Sequence, residues 1–119
     1  DARKGLQMFR RVNVPVLGIV ENMSYFVCDG CSKRHTLFGE GGAERAAKEL
    51  DTEVIGRLPL QPDVVVAGDE GKPTVVSSPD SPAAREFRAI AGLVARKLSL
   101  LAAEAPPVLG GNIEWVNTP

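Results

Sequence analysis

Apolar residues are spaced in two different ways along this chain. Ala83, Phe87, Ile90, Val94, Leu98 and Leu101 recur every three or four positions, the period of one helix face. Ser81 and Pro82 precede most of that stripe. A serine hydroxyl caps free N–H groups, and a proline in the first turn lacks only an N–H that has no helical partner anyway. The spacing predicts a helix from Pro82 to about Ala103. Pro15–Val20 is instead a continuous apolar run without alternation. A strand covered on both faces of a parallel sheet reads this way. Val54-Ile55-Gly56 is a second, shorter strand of the same kind, ended by Leu58-Pro59-Leu60-Gln61-Pro62.

Shorter patterns fill the space between. Asp1–Arg11 carries Ala2, Leu6 and Phe9 at helical spacing with no capping residue ahead, so the chain is expected to start at or inside a helix. Ala43, Ala46, Ala47 and Leu50 form one stripe of a short helix over Gly41–Leu50. Glu44/Lys48 and Arg45/Glu49 are i,i+4 pairs on its other side, each worth about 0.2–0.5 kcal/mol in an isolated helix. Asp63–Asp69 predicts one or two helical turns, and Pro73–Val76 a strand or docked extended segment. Glu21–Phe38 reads as a long loop, the kind that is usually functional. Beyond the last helix, Pro106-Pro107 and Gly110-Gly111 break structure, leaving 104–119 an unassigned tail. The order helix, strand, loop, helix, strand, helix describes part of an open α/β sandwich with a parallel sheet.

Length and composition narrow the class. The 119 residues suit one domain. Hydrophobic residues make up 44% but aromatics only 5%, so the core must be built from Val, Leu, Ile and Ala. The net charge of −1 implies no basic face, which disfavours nucleic acid as a partner. No apolar run approaches the ~18 residues of a membrane span, and the charged Asp1-Ala2-Arg3-Lys4 start is not that of a signal peptide. Two cysteines make no disulfide framework, and a reducing cytoplasm suits them better.

Those two cysteines carry the candidate chemistry. Cys28-Asp29-Gly30-Cys31 is a CxxC, a spacing that lets two thiolates grip one metal centre from a single loop. It supplies half a site, because zinc or a cubane cluster takes about four protein ligands; two chains would complete it. Gly30 is expected to permit the tight turn, and Lys33 and Arg34 to favour thiolate over thiol. A redox dithiol and plain structural thiols are the alternatives. A thioredoxin-type dithiol places its first cysteine at a helix N-terminus, whereas here the next helix begins roughly ten residues later. His35, the single histidine, completes C-x2-C-x3-H and is either a third zinc ligand or a surface loop residue. Phe38-Gly39-Glu40-Gly41-Gly42 precedes a helix, so its N–H groups either face an anion or simply serve a flexible, closely packed turn. It is neither a Walker A loop nor a GxGxxG fingerprint. Asn22 closes the first predicted strand, where ligands of open α/β sheets bind. Its amide either meets a base edge or makes an Asx turn. No Ser/His/Asp or paired-carboxylate arrangement for catalysis is discernible.

Taken in order, Val14-Pro15-Val16-Leu17-Gly18-Ile19-Val20-Glu21-Asn22-Met23-Ser24, Cys28-x-x-Cys31, Phe38-Gly39-Glu40-Gly41-Gly42, Gly56-Arg57-Leu58-Pro59-Leu60 and Asp80-Ser81-Pro82-Ala83-Ala84 resemble the Mrp/ApbC/Nbp35 family. These are iron–sulfur cluster carrier ATPases of the deviant-Walker P-loop class, related to MinD and ParA. The resemblance covers roughly residues 1–103. It implies a Rossmann-like P-loop α/β sandwich of which this chain is the C-terminal portion. It further implies a homodimer bridged by a [4Fe–4S] cluster on Cys28 and Cys31 of each subunit, and apo iron–sulfur proteins as acceptors. In such proteins ATP with Mg2+ drives loading or transfer. Asn22 would read the adenine and Pro59 would flank it. The family's phosphate loop would lie upstream of Asp1, so the chain alone is expected not to hydrolyse ATP. A sheet cut in this way is also expected to expose an edge strand and apolar helix faces. The rivals are a zinc-stabilised interaction module and a CxxC dithiol oxidoreductase.

Overall fold

The structure, a computed structural model, describes residues 1–104; the unassigned tail lies outside the described residues, except for Glu104, which ends the last helix. Eight elements follow in order: α1 (Ala2–Arg11), β1 (Ile19–Val27), β2 (Arg34–His35), α2 (Gly42–Glu49), β3 (Val54–Pro59), α3 (Pro62–Asp69), α4 (Thr74–Ser77) and α5 (Pro82–Glu104). The sheet order is β2-β1-β3. β1 and β3 run parallel, whereas β2 returns antiparallel to β1. The α/β class expected from the pattern is present, with a mixed sheet in place of a wholly parallel one.

Side-chain alternation along β3 separates the layers. A Cβ on Gly56 would collide with the Ile90 side chain of α5, so that face of the strand lies directly under α5. Arg57 points to the opposite face and is ion-paired with Glu44 of α2. α2 and α5 therefore sit on opposite sides of β3. The small residues Ala83 and Ala84 are the most buried in the described chain, and they let the start of α5 settle close. Two side chains satisfy its free N–H groups. Ser81 Oγ accepts from Ala84 N at 3.1 Å, and Gln61 Oε1, reaching from the loop after β3, accepts from Ala83 N at 2.8 Å. The serine cap was readable from local sequence; the glutamine cap crosses twenty-two positions and was not.

Three expectations need correction. The predicted loop over Glu21–Phe38 is largely a β-hairpin, because β1 continues to Val27 and pairs with β2. Its polar residues Glu21, Asn22 and Ser24 interrupt the apolar run and hide the strand. The continuous run Pro15–Val20 is not covered on both faces: only Ile19 and Val20 belong to β1, and Val20 is 39% exposed. The reason is that α5 packs chiefly on β3. Pro73–Val76 is not extended; Thr74–Ser77 forms a single helical turn. Thr and Val favour strands, but Pro73 starts the turn, its carbonyl accepting from Val76 N and Ser77 N, and Thr74 is buried. The apolar stripe of α5 is exposed toward its end at Leu98 and Leu101. None of the described helices is long and apolar enough to cross a membrane.

The contact between Gly56 and Ile90 yields a direct test. Gly56→Ala should lower unfolding free energy by about 1–3 kcal/mol through overpacking. Adding Ile90→Ala should make the double variant's loss smaller than the sum of the two single losses. Urea denaturation of the four proteins of this cycle measures the coupling; strict additivity would show that the two residues do not meet.

Candidate metal centre

The hairpin between β1 and β2 carries both cysteines at its tip. Phe26 pairs with His35 and Val27 with Arg34. Beyond them, Cys28 N donates to Lys33 O at 3.0 Å, and Ser32 N donates to Cys28 O at 2.7 Å. The turn is thus closed by backbone bonds on either side of the cysteines. The left-handed conformation it needs falls on Ser32, with φ 56°, rather than on Gly30. A Cβ at Gly30 would meet only Cys28 Sγ, at an ordinary 3.9 Å. Gly30 contributes its N–H instead.

Cys28 is half-buried and Cys31 exposed, and both are free thiols. The Cys28 thiol is pulled below its usual pKa chiefly by the backbone N–H of Cys31. The N–H of Gly30 and the Cys31 thiol add to this, against opposition from partial burial and the Asp29 carboxylate. Backbone donors thus do the work expected of Lys33 and Arg34. Arg34 is engaged elsewhere, its guanidinium lying 3.3 Å over the ring centre of the buried Tyr25. His35 sits in β2 beside Phe26. Among the described residues no group of three or more His, Cys, Asp or Glu is gathered to hold a metal ion, so His35 does not join the cysteines. Two soft thiol donors on an open tip fit an iron–sulfur or zinc centre only as a partial ligand set.

A second constellation occupies the strand ends. The β1–β3 ladder pairs Glu21 with Arg57 and then Tyr25 with Pro59. Three residues of β1, Asn22 to Ser24, therefore stand opposite the single Leu58 of β3. This is a bulge, and Met23 takes φ 54° within it. Asn22 is exposed there, its Oδ1 accepting from Met23 N at 2.9 Å. Pro59 is buried at the end of β3, with Leu60 half-buried beyond it. Only one of the two predicted base-contacting positions ends a strand: Pro59 closes β3, whereas Asn22 does not close β1, which continues to Val27, and lies exposed in its bulge.

Charged residues that sequence reasoning did not single out surround the bulge. Glu21 Oε2 accepts from Ser24 Oγ at 2.6 Å and from Arg57 Nε at 3.2 Å. Arg57 is also paired with Glu44. These residues, with Tyr25, Arg34, Thr36 and the Gly39–Gly41 loop, line an open cleft of about 500 Å³. Opposite charges at Glu21 and Arg57 were a faint signal, but only the strand register pairs them. The glycines of the 38–42 segment serve the turn: Gly39 and Gly41 have φ of 84° and 74°, and Gly41 precedes the first residue of α2.

Comparison with known proteins bears on this geometry. The ParA family model, described as NUBPL iron-transfer P-loop NTPase, matches residues 1–95. An iron–sulfur cluster carrier protein of Pseudomonas fragi is 47% identical over 91 residues, covering 76% of this chain and 32% of the relative. The iron–sulfur cluster transfer protein NUBPL of Mus musculus is 47% identical over 98 residues, covering 82% and 31%. A solved nucleotide-binding protein from Archaeoglobus fulgidus, in complex with ADP, superimposes with a TM-score of 0.55 at 37% identity over 72% of this chain and 34% of its own. The chain spans about a third of the length of these relatives.

Two outcomes follow from the hairpin geometry. Because its folded-state pKa is lowered, Cys28 should hold more thiolate at neutral pH than an ordinary cysteine. Its alkylation rate, followed by mass spectrometry on metal-free protein, should therefore rise at lower pH than that of a free cysteine. Ser32→Val should destabilise the fold by about 1–2 kcal/mol, because a β-branched residue resists positive φ. Gly30→Ala should stay within about 0.5 kcal/mol of the parent. Chemical denaturation of both variants distinguishes which residue the turn depends on.

Proposed function

The chain belongs to the ParA family of NUBPL-type iron-transfer P-loop NTPases, and we propose that it is the cluster-holding portion of an iron–sulfur cluster carrier. One observation carries this reading beyond family membership: the thiols of Cys28 and Cys31 lie together at an open hairpin tip, with Cys28 biased toward thiolate by fixed backbone donors. Thiolate is the species that ligates iron. Two ligands per chain leave a centre incomplete, so a [4Fe–4S] cluster would be shared by the cysteine pairs of two chains in a homodimer. A cluster held at an accessible tip, by ligands from two separable subunits, suits a protein that must give it up to apo acceptor proteins.

Nucleotide belongs to the proposed whole protein. Asn22 offers an exposed amide in the β1 bulge, level with the carboxyl end of β3, and open α/β sheets bind ligands at the carboxyl ends of their strands. Pro59 and its neighbours would form the adjoining wall of the base pocket. The triphosphate and Mg2+ would be held by a phosphate loop N-terminal to this segment, and hydrolysis would take place there. When bound, ATP would supply the energy that loads or releases the cluster. The proposed compartment is the cytoplasm.

Anaerobic reconstitution of the full-length protein with iron and sulfide tests this. The expected product is a coloured protein with about four irons per pair of chains. Cys28→Ser should abolish both the cluster and any cluster-dependent dimer. A colourless protein holding one zinc per chain, lost on His35→Ala, would replace the carrier with a zinc module. Reversible formation of a Cys28–Cys31 disulfide without iron uptake would replace it with a dithiol oxidoreductase.

A further inference from the structure

Resting on the carrier reading, we propose that Tyr25 is the positioning residue through which nucleotide at the β1 bulge and the end of β3 and cluster at the hairpin tip influence one another, with Arg34 as its partner. Tyr25 touches both regions. Its ring, buried in the fold, carries the Arg34 guanidinium on its face at 3.3 Å. Arg34 lies on the returning arm of the cysteine hairpin, opposite Val27, the residue before Cys28. Through its backbone Tyr25 faces the other way. It is the register partner of Pro59, and its carbonyl accepts from Leu60 N at 2.7 Å. Any displacement of the Pro59–Leu60 rim is thereby transmitted to the residue on which Arg34 rests.

The bulge gives this linkage room to move. Between Glu21 and Tyr25, β1 has two residues more than the stretch of β3 it faces. Met23 is held at positive φ, which a non-glycine residue adopts at a cost. Among the described residues the Asn22 carboxamide is bonded only locally, its Oδ1 accepting from Met23 N. Its two N–H donors are left for a ligand, and a ligand that turns the carboxamide loosens this bond inside the bulge. Meanwhile Glu21 is pinned by Ser24 and Arg57, so the start of the bulge stays anchored to β3. With Glu21 held, Tyr25 and the hairpin are the proposed route for rearrangement of the bulge.

Coupling between two binding sites is reciprocal, so nucleotide affinity reads it at equilibrium. Titrating the full-length protein with a fluorescent ATP analogue, apo and cluster-loaded, should give dissociation constants that differ by about fivefold or more in the wild type, the usual lower range of such coupling. Tyr25→Phe keeps the aromatic face and should keep that ratio. Tyr25→Leu and Arg34→Gln remove the stack and should bring it to roughly 1, whatever they do to the separate affinities. A merely structural role would weaken both dissociation constants together and leave their ratio unchanged. Arg34 is exposed, so Arg34→Gln decides the matter if Tyr25→Leu does not fold. A wild-type ratio preserved in Arg34→Gln overturns the proposal, and so does a wild-type ratio of one in protein that binds both ligands. Wild-type protein that takes up no cluster overturns the carrier reading itself.

Discussion

The parallel pairing of β1 with β3 decides where every candidate functional group lies. Parallel strands require a long connection between them. Here it holds the cysteine hairpin, the glycine-rich turn and α2 before the chain re-enters the sheet at Val54. The parallel register sets the Asn22–Ser24 bulge of β1 opposite Leu58, one residue before Pro59 closes β3, although the two segments are far apart in sequence. Gly56 allows the pairing to be covered, because any larger residue would collide with Ile90. The glycine is a packing requirement there: it lets α5 lie close on β3 while α2 holds the opposite face through Glu44 and Arg57.

Strand β1 does not stop where its apolar run stops, and this gives the chain its working end. The strand continues through a bulge to Val27, projecting the two cysteines on a hairpin beyond the covered part of the sheet. At this hairpin tip the Cys31 thiol is exposed and the Cys28 thiol half-buried. The backbone N–H groups of its turn bias Cys28 toward thiolate without a neighbouring cation. The anchoring charges lie behind it, at Glu21, Arg57 and Glu44, and Arg34 turns back onto Tyr25 instead of leaning over the sulfurs. These ion pairs are partly exposed, so their value lies in positioning more than in stability.

Much of this was legible in one dimension. The helix over α5, its Ser81 cap, the short helix after the glycine-rich turn and the apolar strand at Val54–Gly56 all follow from local periodicity and capping chemistry. The ordered set of motifs announced the family. The reading failed where tertiary contact outweighs local pattern. Polar residues at 21, 22 and 24 concealed a strand that survives by pairing on both sides. Thr74 and Val75 looked extended, yet Pro73 and burial of Thr74 turn them into a helix. Gly30 looked like the residue that makes the turn, whereas the positive φ belongs to Ser32.

Sequence alone therefore determined the α/β class, the main helices and the kinship with iron-transfer NTPases. These depend on residue type and near-neighbour spacing, which the chain carries in itself. Tertiary structure decided the mixed sheet and the register that sets Glu21 against Arg57. It also decided the bulge that exposes Asn22, and the stacking of Arg34 on Tyr25. Each of these joins residues brought together only by hydrogen-bonded pairing and packing, and a shift of register by one position would turn every side chain to the other face.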